Sequence, residues 1–346
     1  MKTKFYFNIV LVIFIFLIWN NSMANCNAEN GKLEKDYSFI QTYSVTSPLT
    51  LSVSTTGGNI IQEGRDGNTA EIAFIVSSHG KIIDIPYDQL KNYADVEIVN
   101  TNASLFITVK KIYDRKVSIG FSIKTPVQTS SNLTTSGGNI ELNELNGTQY
   151  IRTSGGNLTF GKLSGKIDAS TSGGNISIVN SAANCNVSTS GGNITMENET
   201  GNVKVSTSGG NIEGNNLPKG LTGNTSGGNI LLNNVQEWID INTSGGNIEM
   251  SDVSGSIRAI TSGGEIKATI RHLTEKLDME TSGGNIDAII PSQLGYDLDL
   301  SAELIQVPLV NFTGTKKINK VEGQMNGGGI KVKLSTSAGT LQLQFK

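Results

Sequence analysis

The stretch TSGGNISIVNSAANCNVSTSGGNITM, Thr171–Met196, contains the same five residues twice, eighteen positions apart. An earlier copy, TTGGNI, lies at Thr55–Ile60, eighty residues before the next one. Self-similarity at a fixed period is the signature of a repeat architecture. The fifth residue of the motif recurs every eighteen residues and then, after Glu265, once at a step of twenty: Asn139, Asn157, Asn175, Asn193, Asn211, Asn229, Asn247, Glu265 and Asn285.

Apolar residues alternate with polar ones on both sides of each motif. Ile176 and Ile178 follow one copy, and Val203 and Val205 precede another. Alternation in short runs bounded by Gly, Ser and Asn predicts half-buried strands. Two strands in eighteen residues are typical of one rung of a solenoid. A third apolar position recurs at the opposite corner of the rung: Leu145, Leu163, Leu217, Val235, Val253 and Leu273.

The sequence therefore predicts an all-β fold, a single-stranded parallel β-helix or β-solenoid with eighteen-residue, two-strand rungs, TSGGN corners and irregular β-rich end segments. We expect a signal peptide over 1–24, an N-terminal β-rich cap with the first rungs over 25–125, regular rungs over 126–290, and C-terminal rungs with a cap over 291–346. A short helix is expected near Pro86–Ala94.

The corner motif has a mechanical interpretation. Glycine allows positive φ and close approach of neighbouring backbones, and Asn tolerates the left-handed region. Stacked Asn amides bond along the column in cross-β ladders, and Thr and Ser hydroxyls bond to turn backbone. We therefore interpret eight residues as a structural corner ladder, with no catalytic, cofactor-binding or metal-binding residue predicted: Asn139, Asn157, Asn175, Asn193, Asn211, Asn229, Asn247 and Asn285.

The N-terminus has the pattern of an export signal. Lys2 and Lys4 precede the eleven-residue apolar run Ile9–Trp19, and Ser22 and Ala24 supply the small residues of a cleavage site. The apolar run is too short to predict a transmembrane span in the mature chain. Acylation of Cys26 is the weaker alternative, since Asn25 stands where a lipoprotein signal has a small residue. We expect a location at the cell surface, outside the cell or in the periplasm.

The net charge bears on the class of binding partner, and the two cysteines bear on whether the chain contains a disulfide. The formal net charge is −3, and the charged residues are dispersed along the sequence. They show no basic cluster of the kind that binds nucleic acid. Export permits a disulfide between Cys26 and Cys185, but Cys185 occupies a position that is apolar in most rungs. A buried free thiol is the preferred interpretation.

The order of several segments resembles a bacterial family of adhesin-like proteins of unknown function with β-strand repeats, related to the head domain of autotransporter-like adhesins. The segments are FSIKTP (Phe121–Pro126), the serial TSGGNI copies, IPSQLGYDLDLSAE (Ile290–Glu303), NFTG (Asn311–Gly314) and VEGQMNGGGIKVKLSTSAGTL (Val321–Leu341). The resemblance implies an exported, surface-displayed β-helix, and it supplies no catalytic residues.

Four ligand-dependent or catalytic interpretations of the repeat compete with a purely structural one. A calcium-binding β-roll needs a carboxylate in every turn, whereas Asp168, Asp240 and Asp278 share their column with Asn, Lys, Thr and Arg. A phosphate loop needs a following helix. A glycan-active enzyme would need clustered catalytic groups, and His79 and His272 match no such motif. Ice or surface binding would use a stacked threonine column: Thr153, Thr171, Thr189, Thr207, Thr225, Thr243 and Thr261.

We therefore predict an exported, non-enzymatic β-solenoid without a cofactor. It would act as an adhesin or as a surface or periplasmic binding and scaffold module. A surface glycan or a protein is the expected partner, and the chain is expected to be a monomer.

Overall fold

The computed structural model describes residues 36–114 and 116–346. The predicted signal peptide and Cys26 lie outside the described residues. No helix among the described residues is long and apolar enough to cross a membrane.

The described residues form thirty strands and one short helix. The first strands are β1 (Phe39–Ser44), β2 (Leu49–Ser54), β3 (Ile60–Arg65), β4 (Thr69–Ser78), β5 (Lys81–Ile82), β6 (Ala94–Asn100), β7 (Ser104–Ile112), β8 (Val117–Pro126) and β9 (Thr129–Thr134). The 3₁₀ helix Tyr87–Asn92 precedes β6, within the segment where the sequence predicts a helix.

The repeats form alternating short strands. These are β10 (Ile140–Asn143), β11 (Asn146–Arg152), β12 (Leu158–Gly161), β13 (Ser164–Ser170), β14 (Ile176–Val179), β15 (Ala182–Ser188), β16 (Ile194–Glu197), β17 (Val203–Ser206), β18 (Ile212–Leu217), β19 (Leu221–Asn224), β20 (Ile230–Val235) and β21 (Trp238–Asn242). The next strands are β22 (Ile248–Ile260), β23 (Ile266–Thr281) and β24 (Ile286–Ile290). The last are β25 (Tyr296–Ser301), β26 (Leu304–Gln306), β27 (Phe312–Lys316), β28 (Lys320–Met325), β29 (Ile330–Thr336) and β30 (Thr340–Phe345).

Each repeat strand pairs in parallel with its equivalent one rung along. Ile140 of β10 pairs with Leu158 of β12, and Ile176 of β14 pairs with Ile194 of β16. On the other side of the rung, Ile167 of β13 pairs with Cys185 of β15. The prediction of an all-β parallel solenoid with eighteen-residue rungs is confirmed.

The early TTGGNI copy is the next rung in space. Ile60 pairs in register with Ile140, so Asn59 and Asn139 are neighbours although eighty residues separate them. On its other edge, Ile60 pairs with Phe121 of β8. The intervening chain folds at the N-terminal end, where β4 is antiparallel to both β1 and β8, and β6 is antiparallel to β7.

The C-terminal end changes direction in the same way. β25 is parallel to β29 but antiparallel to β28, which is antiparallel to β27. On the side of the rung that contains β11 and β13, the outermost strand at each end is therefore antiparallel to its neighbour. It is β6 at the N-terminal end and β27 at the C-terminal end. Ending a parallel stack with short or antiparallel strands limits edge-to-edge pairing with other chains.

The interior is a set of aliphatic columns with one residue per rung. The residues that follow the TSGGN motif, such as Ile194, Ile212 and Ile230, are at most 1% exposed. Full burial of such a side chain stabilises the fold by about 1.5–3 kcal/mol relative to an exposed one. The predicted apolar column at the opposite corner, from Leu145 to Leu273, is buried as well.

Candidate functional site: the columns of the rungs

The eight predicted ladder residues lie in one column along the TSGGN corner. The backbone N–H of Asn157 donates to Oδ1 of Asn139 over 2.8 Å, and the same bond repeats from rung to rung. Asn59 begins the column, and Oδ1 of Asn285 accepts from the backbone N–H of Thr340 at its end. In the repeated bond the side-chain oxygen caps a backbone donor, whereas an amide–amide ladder was expected. Nδ2 of Asn285 donates to Oε1 of Glu265 at 3.4 Å, and the amide nitrogens of the other seven residues are left for solvent or a ligand.

The threonines of the motif point inward. Thr171 is 5% exposed, and its hydroxyl donates to the carbonyl of Gly156 at 2.9 Å while accepting from the N–H of Gly174 at 3.2 Å. The same pair of bonds recurs in each TSGG rung. The column on which the ice-binding alternative rested therefore satisfies backbone groups inside the corner and presents no threonine surface.

The second glycine of each motif is required by close approach. A Cβ added to Gly192 would lie 1.9 Å from the carbonyl oxygen of Gly174, one rung back. A Cβ on the first glycine, Gly191, would meet no atom closer than 3.9 Å. Neither glycine has a left-handed φ. The expectation of positive φ at this corner was wrong, because the chain turns here in conformations that L-residues also adopt.

The left-handed residues lie at the opposite corner. One residue per rung has a φ between 51° and 59°, and it is an Asn in four successive rungs: Glu144, Lys162, Asn180, Asn198, Asn216, Asn234 and Asp252. Here the side-chain amides do form a ladder. Nδ2 of Asn198 donates to Oδ1 of Asn180 at 2.8 Å, and the bond repeats at Asn216 and Asn234. The sequence interpretation missed this column, although its eighteen-residue spacing was visible.

Ion pairs connect charged side chains on successive rungs. Arg152 pairs with Asp168, and this guanidinium lowers the pKa of the Asp168 carboxyl. Arg258 pairs with Asp240 at 3.0 Å, and Lys219 pairs with Glu237 at 2.7 Å. Such exposed pairs contribute little stability, but they leave the outer faces with a locally balanced charge. Trp238 is 42% exposed, with the ammonium of Lys276 5.7 Å from its ring centre.

The titratable groups first considered for chemistry are dispersed. His79 lies in the turn after β4 beside Ser78, and His272 lies in β23. Among the described residues, no group of three or more His, Cys, Asp or Glu side chains is placed to hold a metal ion.

The profile of one protein family matches most of the chain. The match to Toastrack DUF4097 extends over residues 41–344, and it includes all the rungs from Asn59 to Thr340. The chain belongs to this family. The resemblance to adhesin-like proteins with β-strand repeats is thereby confirmed, and the Toastrack family is itself one of unknown function.

Several solved structures are similar to this Toastrack chain. A "putative cell adhesion protein" from Clostridium sporogenes is 11% identical, with 89% of this chain and 99% of that chain covered and a TM-score of 0.26. Two proteins named "putative adhesin", from Parabacteroides distasonis and Bacteroides fragilis, are 15% and 16% identical. Each covers 72% of this chain and 96% of its own, with TM-scores of 0.38 and 0.35. No curated protein matches the sequence. Likeness at this level says nothing about what this chain binds.

Two successive rungs of this Toastrack chain carry a buried polar side chain at the opposite corner, Ser181 in one and Glu199 in the next. Glu199 occupies the opposite-corner column that holds Leu163 and Leu217 in other rungs, and it is fully buried. Its Oε1 accepts the backbone N–H of Ser181 at 3.0 Å, and its Oε2 has no hydrogen-bond partner. Burial raises the pKa of Glu199 to about 7. The sequence interpretation omitted this residue because the column was defined by its apolar members.

Cys185 lies in the same part of the interior. It is 4% exposed and free, as predicted, and its thiol donates to the carbonyl of Ala183 at 3.3 Å. Burial, together with the nearby Glu199 carboxyl, raises its pKa to about 12. A thiol that is neutral and enclosed is a packing residue, because the nucleophile is the thiolate.

Proposed function

We propose that this protein is an exported, non-enzymatic binding module that acts as an adhesin or scaffold at the cell surface or in the periplasm. Surface glycans or proteins are its partners. The observation that carries the proposal is the strict register of the rungs, which repeats each outward-facing group at the strand spacing of about 4.8 Å. A surface of this kind offers many equivalent weak contacts, and several weak contacts made together give strong attachment.

The distribution of chemically distinctive groups supports a binding role over catalysis. The carboxyl and thiol with the most strongly raised pKa values in the rungs, Glu199 and Cys185, lie inside the solenoid where no substrate reaches them. The ion-paired groups on the outer faces connect neighbouring rungs. In contrast, the amide nitrogens of the corner asparagines from Asn139 to Asn247 remain available for hydrogen bonds, and only Asn285 uses its own, toward Glu265.

The expected location follows from the N-terminal pattern and from the adhesin-like relatives. Protease added to intact cells should cleave the protein if it is displayed outside, and the same protease in lysed cells supplies the positive control. A cytoplasmic protein of similar size should survive the first treatment and disappear in the second.

Binding is tested separately with the purified protein. Fluorescently labelled protein should attach to cells or to isolated envelope material and saturate with concentration. Protection from protease in intact cells together with full cleavage after lysis would overturn surface display. A labelled protein that binds neither envelope material nor any extracellular matrix would overturn the binding role itself.

A further inference from the structure

The N-terminal cap contains a groove of about 310 Å³ that the repeat does not require. It lies between the 3₁₀ helix Tyr87–Asn92 and strand β6, and Tyr113, just after β7, closes one side. Leu90 and Ala94 form a floor that is at most 4% exposed. The volume is at the lower end of the range for small-ligand sites, so a ligand of one or two rings would fill it.

Two tyrosines flank the groove and are well exposed. Tyr87 is 47% exposed and Tyr113 is 55% exposed. The ring of Tyr87 packs edge-on against Phe39 at 5.5 Å, and Phe39 stacks on the buried Phe74 at 4.5 Å. The backbone N–H of Tyr113 donates to the carbonyl of Tyr93 at the end of the helix. Both tyrosines are therefore tied to ordered parts of the cap while their outer surfaces stay accessible.

The charges around the groove balance one another. The carboxylates of Asp88 and Asp95 are offset by the ammonium groups of Lys91 and of Lys111, which lies beside Tyr113, so an ion of either sign gains no net attraction. The ammonium of Lys111 lies 5.5 Å from the centre of the Tyr113 ring. This ring therefore already makes a cation–π contact within the protein and is less available to a cationic ligand. The charged rim is also a poor environment for an acyl chain. A neutral ligand with an apolar face and several hydroxyl groups fits these features.

We propose that this groove binds one or two rings of a neutral saccharide. Tyr87 and Tyr113 contact the apolar C–H faces of the sugar, and the carboxylates of Asp88 and Asp95 accept hydrogen bonds from its hydroxyl groups. Lys91 donates to a ring or hydroxyl oxygen. This assignment rests on the proposed binding function and gives it a defined site, outside the repeated columns.

The test begins with purified protein on an array of neutral, anionic and cationic oligosaccharides, followed by calorimetric titration of the neutral sugars that bind. Y113A and Y87A should each weaken binding by about tenfold, whereas Y113F and Y87F, which keep the ring, should bind within about threefold of the wild type. Y150A is the matched control, because Tyr150 is similarly exposed, at 45%, but lies on strand β11 of the solenoid.

The outcomes separate this site from the general function. The groove assignment is overturned if Y87A and Y113A bind the neutral sugar as tightly as the wild type does. It is also overturned if the protein binds only charged glycans or lysine-rich peptides. In both cases the proposed binding function stands. Attachment to envelope material without binding to any sugar likewise overturns the groove assignment and leaves the proposed binding function standing. If Y87A melts at a lower temperature because its contact with Phe39 is lost, the sugar affinities of Y113A and D95N decide the groove assignment instead. Protease protection combined with groove-dependent sugar binding would overturn surface display alone.

Discussion

The backbone N–H of Asn211 donates to Oδ1 of Asn193 over 2.8 Å, so the side chain of one rung satisfies the backbone of the next. From Asn139 to Glu265 the bond repeats between rungs that are consecutive in sequence. Each asparagine therefore stabilises the stacking of its neighbour, and the value of one such bond is measurable at a single rung.

Substitution of Asn193 by Ala removes the acceptor while leaving the strand intact. We expect N193A to lower the free energy of unfolding by about 1 kcal/mol, the usual net value of one hydrogen bond. N193D keeps an oxygen at the same position and should lose less. Urea denaturation followed by circular dichroism measures both. Equal losses for the two variants would show that Oδ1 contributes nothing beyond packing.

The two glycines of a motif differ sharply in what they tolerate. G192A places a Cβ 1.9 Å from the carbonyl oxygen of Gly174, and backbone must move to relieve the contact. We expect it to fold poorly or to lose more than about 3 kcal/mol. G191A, whose Cβ has no neighbour within 3.9 Å, should stay within about 1 kcal/mol of the wild type.

Expression level, thermal melting and the denaturant midpoint of the two glycine variants are compared side by side. The pair is well matched, since the same substitution is made at adjacent positions of one corner. A G192A protein as stable as G191A would mean that the rungs are farther apart at this corner than the structure has them.

The buried threonine hydroxyl bonds two backbone groups at once. Thr189 Oγ1 donates to the carbonyl of Gly174 at 2.8 Å and accepts from the N–H of Gly192 at 3.3 Å. T189V has nearly the same shape but leaves both backbone groups without a hydrogen-bond partner. It should therefore lower the free energy of unfolding by about 1–3 kcal/mol. T189S keeps the hydroxyl and should lose less. A valine variant as stable as the wild type in thermal and urea unfolding would contradict the role of the hydroxyl.

The sequence predicted the features that repeat. Strand alternation at Ile194 and Met196, the rung length and the apolar column at Leu163 all follow from a local pattern seen many times in one chain. The exposed Asn column could be found in the same way. Its bonding could not, because backbone dihedrals decide whether an amide reaches a neighbouring amide or a backbone donor.

The features that occur once were harder to predict. The pairing of Ile60 with Ile140 depends on contacts across an eighty-residue excursion, and period analysis treats such a gap as a break. The antiparallel strands at the two ends are likewise fixed by nonlocal contacts. Ser181 and Glu199 interrupt an apolar column in two successive rungs, and only the structure shows that the side chain of Glu199 still points inward.

Glu199 should make the stability of the solenoid depend on pH near neutrality. Its pKa in the folded protein is about 7, above its ordinary value of 4.5, because burial disfavours the charged form. The folded state therefore binds more protons than the unfolded state between these values, and its stability is fully present below the lower one. Stability is lost as pH rises from 4.5 through about 7, by at most about 1.4 kcal/mol per pH unit from this group, and the loss is complete above the folded-state pKa.

Thermal unfolding from pH 4 to pH 8.5 tests this in the wild type, E199Q and E197Q. E199Q keeps an oxygen to accept the N–H of Ser181 but does not titrate, so its melting temperature should fall less between pH 5 and pH 8. Glu197 lies two residues earlier and is partly exposed, and E197Q should follow the wild type. The neighbouring thiol of Cys185 stays neutral across this range, because its pKa is raised to about 12. Parallel curves for the wild type and E199Q would show that the buried carboxyl does not change its protonation on unfolding.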